Sequence, residues 1–293
     1  MTESAPYPPP EPTAETVERL LQRIGELPPM PAVAQKALAL IRNPNSSMAD
    51  LADVLALDQA MAGLVLRWAN SAYFGLRSPV TTVRQAVVYL GQNAIQSLIM
   101  AASLAAFIDR PAPGYGLERG ELWKHAVGVA SGARLVAAKF GKALGEDAYH
   151  AGLLADIGKL AFEAVLRDVD TSVPEWQNQS FADLEVAHFG VDHATLGAEI
   201  ARRWNLPKPL VEAIAYHHRP SLAKEGAQLA AAVHIADASM MMLGIGLGRD
   251  GLQYPLDEAA CERMQWNEAG FYELADRVAP LLKETEAFLL LKR

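Results

Sequence analysis

Apolar residues recur at helical spacing in almost every part of this chain. Strand-like alternation of apolar and polar residues is scarce. Near the N-terminus the i, i+3, i+4, i+7 pattern of an amphipathic helix is formed by Val17, Leu20, Leu21 and Ile24. Helical patterns continue through the segments 31–42, 48–69, 83–107, 123–169, 181–204, 208–218, 228–243, 257–262 and 268–290. The pattern therefore predicts an all-α, multi-helix chain.

Capping residues divide the early helices. Ser47 followed by Asp50 matches a capping box, and Asp58 can cap the next helix. These two helices have the order of a helix-turn-helix, and a DNA-binding regulator is therefore one alternative. The second helix is apolar, however, and carries only Arg67 as a base, whereas reading DNA takes several basic and amide side chains. We do not expect nucleic acid as a partner.

Breaks in the helical pattern suggest how the chain is organised. The segment 109–120 contains two prolines and three glycines and is the best candidate for a lobe boundary. We predict an N-terminal helical lobe over residues 15–112 and a second helical lobe over residues 113–293. Residues 1–14 are expected to form a disordered tail, because they contain five prolines and lack the features of a signal peptide.

Composition narrows the class of protein. The chain has 293 residues, is 51% hydrophobic and carries a formal net charge of -8, which gives no general attraction to nucleic acid or an anionic membrane. Its single cysteine, Cys261, excludes an internal disulfide framework and fits the reducing cytoplasm. The longest weakly polar run, 94–108, is shorter than the roughly 18 to 20 residues that a membrane-spanning helix needs.

One apolar stretch contains a single carboxylate. Residues 150–160 read His-Ala-Gly-Leu-Leu-Ala-Asp-Ile-Gly-Lys-Leu, and we expect them to form a buried helix. Burying the carboxylate of Asp156 costs free energy unless it is paired, hydrogen-bonded or bound to a cation. His125 and Lys159 are the candidate partners.

Histidines and aspartates cluster in the second half of the chain. Imidazole and carboxylate together are ligands of divalent metals, and a helical bundle can bring them together from several helices. The alternative is structural: His188 and Asp192 could form a surface pair, and Asp237 could accept a hydrogen bond from His234. The residues concerned are His125, His150, His188, His193, His217, His218, His234, Asp156, Asp192 and Asp237.

Motifs spread over residues 20–220 resemble the HDOD domain, a divergent branch of the HD phosphohydrolase superfamily found in bacterial signalling proteins. They are Leu-Pro-Pro-Met-Pro at 27–31, Asn-Ser-Ala-Tyr-Phe-Gly at 70–75, Ala-Val-Val-Tyr-Leu-Gly at 86–91, Trp-Lys-His at 123–125, the stretch 151–160, His-Phe-Gly-Val-Asp-His at 188–193, Trp-Asn-Leu-Pro at 204–207 and His-His-Arg-Pro at 217–220. The resemblance implies an N-terminal helical lobe packed on an HD-like helical lobe.

The same resemblance implies a ligand set. Catalytic HD enzymes bind a divalent metal through a histidine, an adjacent His-Asp pair and a later aspartate, to which His125, Asp156 and Asp237 correspond. Ala155 replaces the histidine of the pair and has no donor atom. The remaining residues would hold a divalent metal only weakly, and we expect no other cofactor.

Further residues could complete or replace this set. A second site could be formed by His188, His193, His217 or His218, as extra histidines do in cyclic-dinucleotide phosphodiesterases of the superfamily. Those enzymes carry Gly-Tyr-Pro after their paired histidines, whereas Arg-Pro follows here. Lys159 could bind phosphate in a residual pocket, although pairing with Asp156 explains it equally well.

The sequence therefore favours a non-catalytic regulatory module over an enzyme. We expect a cytoplasmic bacterial signal-transduction protein that binds a signalling protein partner or a nucleotide-like ligand, with no membrane contact. The main alternative is a metal-dependent phosphohydrolase acting on a cyclic dinucleotide or a nucleotide.

Overall fold

A computed structural model describes residues 14–24, 30–70, 78–108, 110–166, 169, 179–249 and 251–290. The predicted tail lies outside these residues, except for Ala14, which begins the first helix. Most of the Pro-rich motif at 27–31 and of the motif at 70–75 also lies outside them. Nowhere in the described ranges does a helix reach the length and apolarity that crossing a lipid bilayer requires.

The described residues form helices and no β-strand, which confirms the all-α prediction. Among these residues, Pro113–Tyr115 and Pro220–Leu222 form short 3-10 turns. The helices are α1 Ala14–Ile24, α2 Ala32–Arg42, α3 Met48–Ala56, α4 Gln59–Ala69, α5 Val83–Ile108, α6 Glu121–Ala138, α7 Lys142–Leu154, α8 Ile157–Leu166, α9 Phe181–Phe189, α10 His193–Arg203, α11 Lys208–Ala215, α12 Ala227–Met242, α13 Glu258–Arg263 and α14 Glu268–Leu290.

The predicted N-terminal caps of two early helices are confirmed. The Ser47 side chain accepts a hydrogen bond from the Asp50 backbone N–H, and the Asp50 carboxylate accepts one from the Ser47 N–H at 2.8 Å. The Asp58 carboxylate accepts a hydrogen bond from the Met61 N–H at 2.9 Å. Gly91 has φ 77° and ψ 169°, so α5 consists of two helical segments that meet at this glycine.

The core of the second half is built on α6, which packs against α7 and α12. The α6–α7 contact is close at Gly152, where an added Cβ would lie 2.9 Å from the Cα of Ala130. Every residue of α12 from Leu229 to Met241 is buried, as expected for a helix that is enclosed on all sides. One continuous hydrophobic cluster joins this core to the buried faces of α1–α5.

The stretch 150–160 is not the single helix that we predicted. Helix α7 ends at Leu154, Ala155 and Asp156 form a turn, and α8 begins at Ile157. The turn follows from packing, because α8 must lie against α10 while α7 lies against α6. Asp156 therefore lies in the turn between two helices and belongs to neither of them.

The predicted helix over 181–204 is also divided. Gly190 adopts the left-handed conformation that commonly ends helices, with φ 78°, and it terminates α9. Asp192 then caps α10, since its carboxylate accepts a hydrogen bond from the Thr195 N–H at 2.7 Å. His188 and Asp192 therefore do not lie on one helix, as the predicted surface pair would require.

Candidate metal-binding and ligand-binding site

Asp156 lies at the centre of a buried polar cluster. Its side chain is 5% exposed. Helix α8 approaches α10 so closely that a Cβ added to Gly158 would lie 1.9 Å from the carbonyl oxygen of His193. This approach brings the start of α10, and with it His193, beside the Asp156 carboxylate.

A first group of ligand atoms surrounds one side of Asp156 and corresponds to the ligand set inferred from the sequence. His125 Nε2 lies 2.8 Å from Asp237 Oδ1 and 3.4 Å from Asp156 Oδ2. His125 comes from α6 and Asp237 from α12, so the α6–α12 contact determines their separation. The three side chains are buried, and their ligand atoms lie within 4.8 Å of one another.

A second group lies on the other side of the same carboxylate. Asp156 Oδ1 is 3.4 Å from His193 Nε2 and 3.8 Å from His217 Nε2. His218 Nε2 lies 2.9 Å from His193 Nε2. His217 and His218 lie in the turn after α11. The group therefore combines the residue before α8, the first residue of α10 and this turn. Asp156 is the residue that the two groups share.

Three histidines of the cluster are held by their Nδ1 atoms. His125 Nδ1 donates to the carbonyl of Ile245 at 2.7 Å, and His217 Nδ1 donates to the carbonyl of Ile214 at 2.8 Å. His193 Nδ1 donates to Glu185 Oε2 at 2.7 Å. Each anchor leaves Nε2 facing the cluster, which is the arrangement that orients metal-ligating histidines in proteins.

A glycine places the carbonyl that anchors His125. Gly246 has φ 67°, and a Cβ added there would lie 2.5 Å from the Cβ of His125. The segment after α12 can therefore lie directly on the imidazole, which explains how the Ile245 carbonyl reaches Nδ1.

The sequence did not reveal Glu185 or Tyr115. Glu185 is fully buried on α9 and accepts hydrogen bonds from both the N–H and Nδ1 of His193. Tyr115 donates its hydroxyl to the other Glu185 oxygen at 2.5 Å, and burial and the charge of Glu185 raise the pKa of Tyr115 well above its ordinary value. The one signal available was a carboxylate between Leu184 and Val186, and surface helices contain many such residues.

Replacing Glu185 by glutamine is expected to weaken cation binding by about 10- to 100-fold, the usual cost of losing a residue that orients a ligand. The amide keeps the shape but no longer supplies a charged acceptor to His193 Nδ1. Calorimetric titration with Mn²⁺ measures the change, and nitrogen chemical shifts of the histidines report which ring nitrogen of His193 carries the proton. Unchanged affinity together with an unchanged tautomer would show that Glu185 does not position His193.

Burial and neighbouring charges divide the histidines of the cluster into two classes. Burial lowers the pKa of His125, but Asp237 outweighs it and leaves the pKa raised. Burial also opposes protonation of His193, but Glu185 and then Asp156 raise its pKa to about 10. Burial lowers the pKa of His217, and burial together with His217 holds the pKa of His218 well below its usual range.

The carboxylates of the cluster remain ionised. Burial favours the protonated acid, but Lys159 and then the neighbouring histidines hold the pKa of Asp156 well below its usual range. The hydrogen bond from His125 likewise lowers the pKa of Asp237 against the effect of burial. Lys159 and the neighbouring histidines therefore favour the ionised forms of Asp156 and Asp237.

The residues of the second group fit a divalent cation. Within the described part of the chain, three buried atoms of this group have no hydrogen-bond partner: Asp156 Oδ1, His217 Nε2 and His218 Nδ1. Four-coordinate metals with bonds of about 2.0 to 2.1 Å separate neighbouring ligand atoms by about 3.4 Å. The separations of 2.9, 3.4 and 3.8 Å bracket that value. Asp156, His193, His217 and His218 would hold the ion.

Two further histidines considered in the sequence analysis lie outside both groups. His188 is exposed at the end of α9 and does not join either group. His234 donates from Nδ1 to the His217 carbonyl at 2.8 Å and accepts the Asp257 N–H at 2.9 Å, so it holds the turn that carries His217. The alternative in which His234 donates to Asp237 is wrong, because both ring nitrogens of His234 are bonded elsewhere.

The family model of the HDOD domain matches residues 27–220. A protein of Treponema pallidum (strain Nichols), described as uncharacterized, is 27% identical over 236 residues, which are 79% of this chain. This chain spans 45% of that relative's length.

Three solved structures share the fold. An HDOD domain protein of unknown function from Geobacter sulfurreducens is 24% identical, with a TM-score of 0.72 and coverage of 94% of this chain and 96% of that one. A Marinobacter aquaeolei VT8 protein, whose description suggests signal transduction, is 22% identical, with a TM-score of 0.74 and coverage of 94% of this chain and 64% of that one. A Shewanella amazonensis SB2B protein, whose description suggests a phosphohydrolase, is 24% identical, with a TM-score of 0.63 and coverage of 88% of this chain and 97% of that one.

Proposed function

This chain belongs to the HDOD domain family, and from that premise we propose that it is a non-catalytic regulatory module of bacterial signal transduction. In this proposal the cluster around Asp156 binds a nucleotide-like, phosphorylated ligand without hydrolysing it. A signalling protein is the other form of binding partner, and its support is the description of the Marinobacter neighbour.

The observation that carries the proposal is the joint between α7 and α8. Ala155, 2% exposed, stands beside Asp156 where HD enzymes supply a histidine, and its methyl group cannot bind a metal. At the same joint, Lys159 Nζ lies 3.0 Å from Asp156 Oδ2. The first group thus lacks a ligand, and one of its carboxylate oxygens already bonds to an ammonium.

Lys159 also supports a phosphorylated ligand. Its side chain is 12% exposed, so part of it remains accessible at the edge of the cluster. An ammonium is a good point-charge partner for a phosphate oxygen. A cation on the second group would add positive charge beside it, and the two together would favour an anionic ligand.

Purified protein incubated with Mn²⁺ and cyclic dinucleotides or mononucleotides is expected to bind without turnover. Chromatography of the reaction products detects hydrolysis, and equilibrium dialysis detects binding. The Lys159→Ala variant should bind the same compounds more weakly, while Lys142→Ala, at an exposed position of α7, should bind them as the wild type does. Hydrolysis by the wild type that is lost in Asp156→Asn would contradict the proposal.

A metal-dependent phosphohydrolase is the second candidate, favoured by the unpartnered atoms of the second group and the three anchored histidines. In such enzymes a divalent cation lowers the pKa of a bound water, which can then act as a nucleophile at neutral pH. The residues of this chain would hold the cation through Asp156, His193, His217 and His218, and Lys159 would bind the phosphate.

A further inference from the structure

The two oxygens of Asp156 have different surroundings. Oδ2 lies 3.0 Å from the Lys159 ammonium and 3.4 Å from His125 Nε2. Oδ1 faces His193 and His217, and it has no hydrogen-bond partner among the described residues. The carboxylate therefore has one satisfied oxygen, which faces the first group, and one unsatisfied oxygen, which faces the second.

The first group is complete without a metal ion. Asp237 Oδ1 is hydrogen-bonded to His125 Nε2 at 2.8 Å, and Asp156 Oδ2 is bonded to Lys159. The Lys159 ammonium also lies 5.7 Å from the centre of the Tyr115 ring, an arrangement that stabilises a partly buried cation. Ala155, the position without a donor atom, directly precedes Asp156, the residue that the two groups share.

The second group is not complete. Asp156 Oδ1, His217 Nε2 and His218 Nδ1 are buried and have no hydrogen-bond partner in the described part of the chain, and leaving buried polar atoms unsatisfied is unfavourable. A cation bound to Asp156 Oδ1 and the facing imidazoles would satisfy the first two of these atoms. The third, His218 Nδ1, lies 3.6 Å from Asp237 Oδ2 of the first group. The two unsatisfied atoms that a cation would satisfy thus lie on the Oδ1 side of Asp156, and Lys159 lies on its Oδ2 side.

The geometry points to Lys159 as an internal replacement for one metal ion, so that the chain holds a single divalent cation, at the second group. The ammonium supplies the positive charge at the first group that a second cation would otherwise supply. The inference rests on the binding site of the proposed function, but it concerns metal content, and it stands or falls independently of whether any substrate is hydrolysed.

Metal content of the Lys159→Met variant tests this inference. Protein stripped with a chelator is dialysed to equilibrium against excess Mn²⁺, and the manganese bound per chain is measured as the difference between the two compartments. We expect one ion in the wild type and two in Lys159→Met, because methionine keeps the apolar stem but frees Asp156 Oδ2 for coordination. Electron paramagnetic resonance should show an isolated Mn²⁺ in the wild type and a spin-coupled pair in the variant. Lys142→Met, on the exposed face of α7, should keep one ion.

Wild-type protein that binds no manganese or two ions would overturn the inference, as would a folded Lys159→Met variant that still binds one. Circular dichroism and thermal unfolding establish that the variant is folded. If it is not, two further variants locate the ion. Asp237→Asn should keep one ion, because Asp237 belongs to the first group, and His217→Ala should lose it. The reverse pattern would place the ion in the first group and overturn the inference.

Discussion

Replacement of Asp156 by alanine is expected to abolish Mn²⁺ binding and to destabilise the fold. Asp156 is the residue shared by both ligand groups, so the change removes a donor from each of them at once. It also leaves the partly buried Lys159 ammonium without its carboxylate partner. Removing one partner of a buried ion pair typically costs about 3 to 5 kcal/mol.

Calorimetric titration with Mn²⁺ and urea unfolding measure these two effects separately. Asp156→Asn keeps the shape of the side chain and should lose cation affinity to a similar extent, because the amide carries no charge. Asp53→Ala is a matched control: this aspartate is 70% exposed, and its salt bridge with Arg84 should contribute no more than about 1 kcal/mol. Wild-type affinity for Mn²⁺ in Asp156→Ala would remove Asp156 from the centre of the site.

Replacement of Gly158 by alanine is expected to destabilise the protein by about 3 kcal/mol, the upper end of the usual cost of overpacking. The added Cβ would lie 1.9 Å from the His193 carbonyl oxygen and 2.7 Å from the Gly197 N, and both of these are backbone atoms that cannot rotate away. Helices α8 and α10 must therefore separate. His193 would move away from Asp156, so Mn²⁺ affinity should fall together with stability.

Gly63→Ala provides the matched control for this prediction. Gly63 lies inside α4, and a Cβ added there meets no atom within 4 Å. Alanine should stabilise this helix by about 0.5 to 1 kcal/mol, because glycine is the poorer helix former. Urea unfolding of the two variants should thus shift in opposite directions, and a Gly158→Ala variant as stable as the wild type would contradict the close approach of α8 to α10.

The helical architecture was predictable because its signals are local. The spacing of Val17, Leu20 and Leu21 on α1 and the capping box at Ser47 depend only on residues within one or two turns. The HDOD resemblance was also predictable, since its motifs occur in family order, and the family match over residues 27–220 confirms it.

The joint at Ala155 and Asp156 was not predictable, because it depends on where two helices pack rather than on a helix breaker in the sequence. The break at Gly190 carried a local signal, but helical spacing on both sides of it concealed that signal. Glu185 could not be assigned either. Its role depends on α9 facing the start of α10, a tertiary contact that no periodicity reveals.

The candidate ligands come from distant parts of the chain, and this has a thermodynamic consequence. They are supplied by α6, the α7–α8 joint, α10, the turn after α11, and α12. An ion or ligand that binds only when these five elements are packed together must stabilise that packing by its own binding free energy. By linkage, a partner that shifts any one element changes the affinity of the site, and occupation of the site changes the affinity for that partner by the same factor.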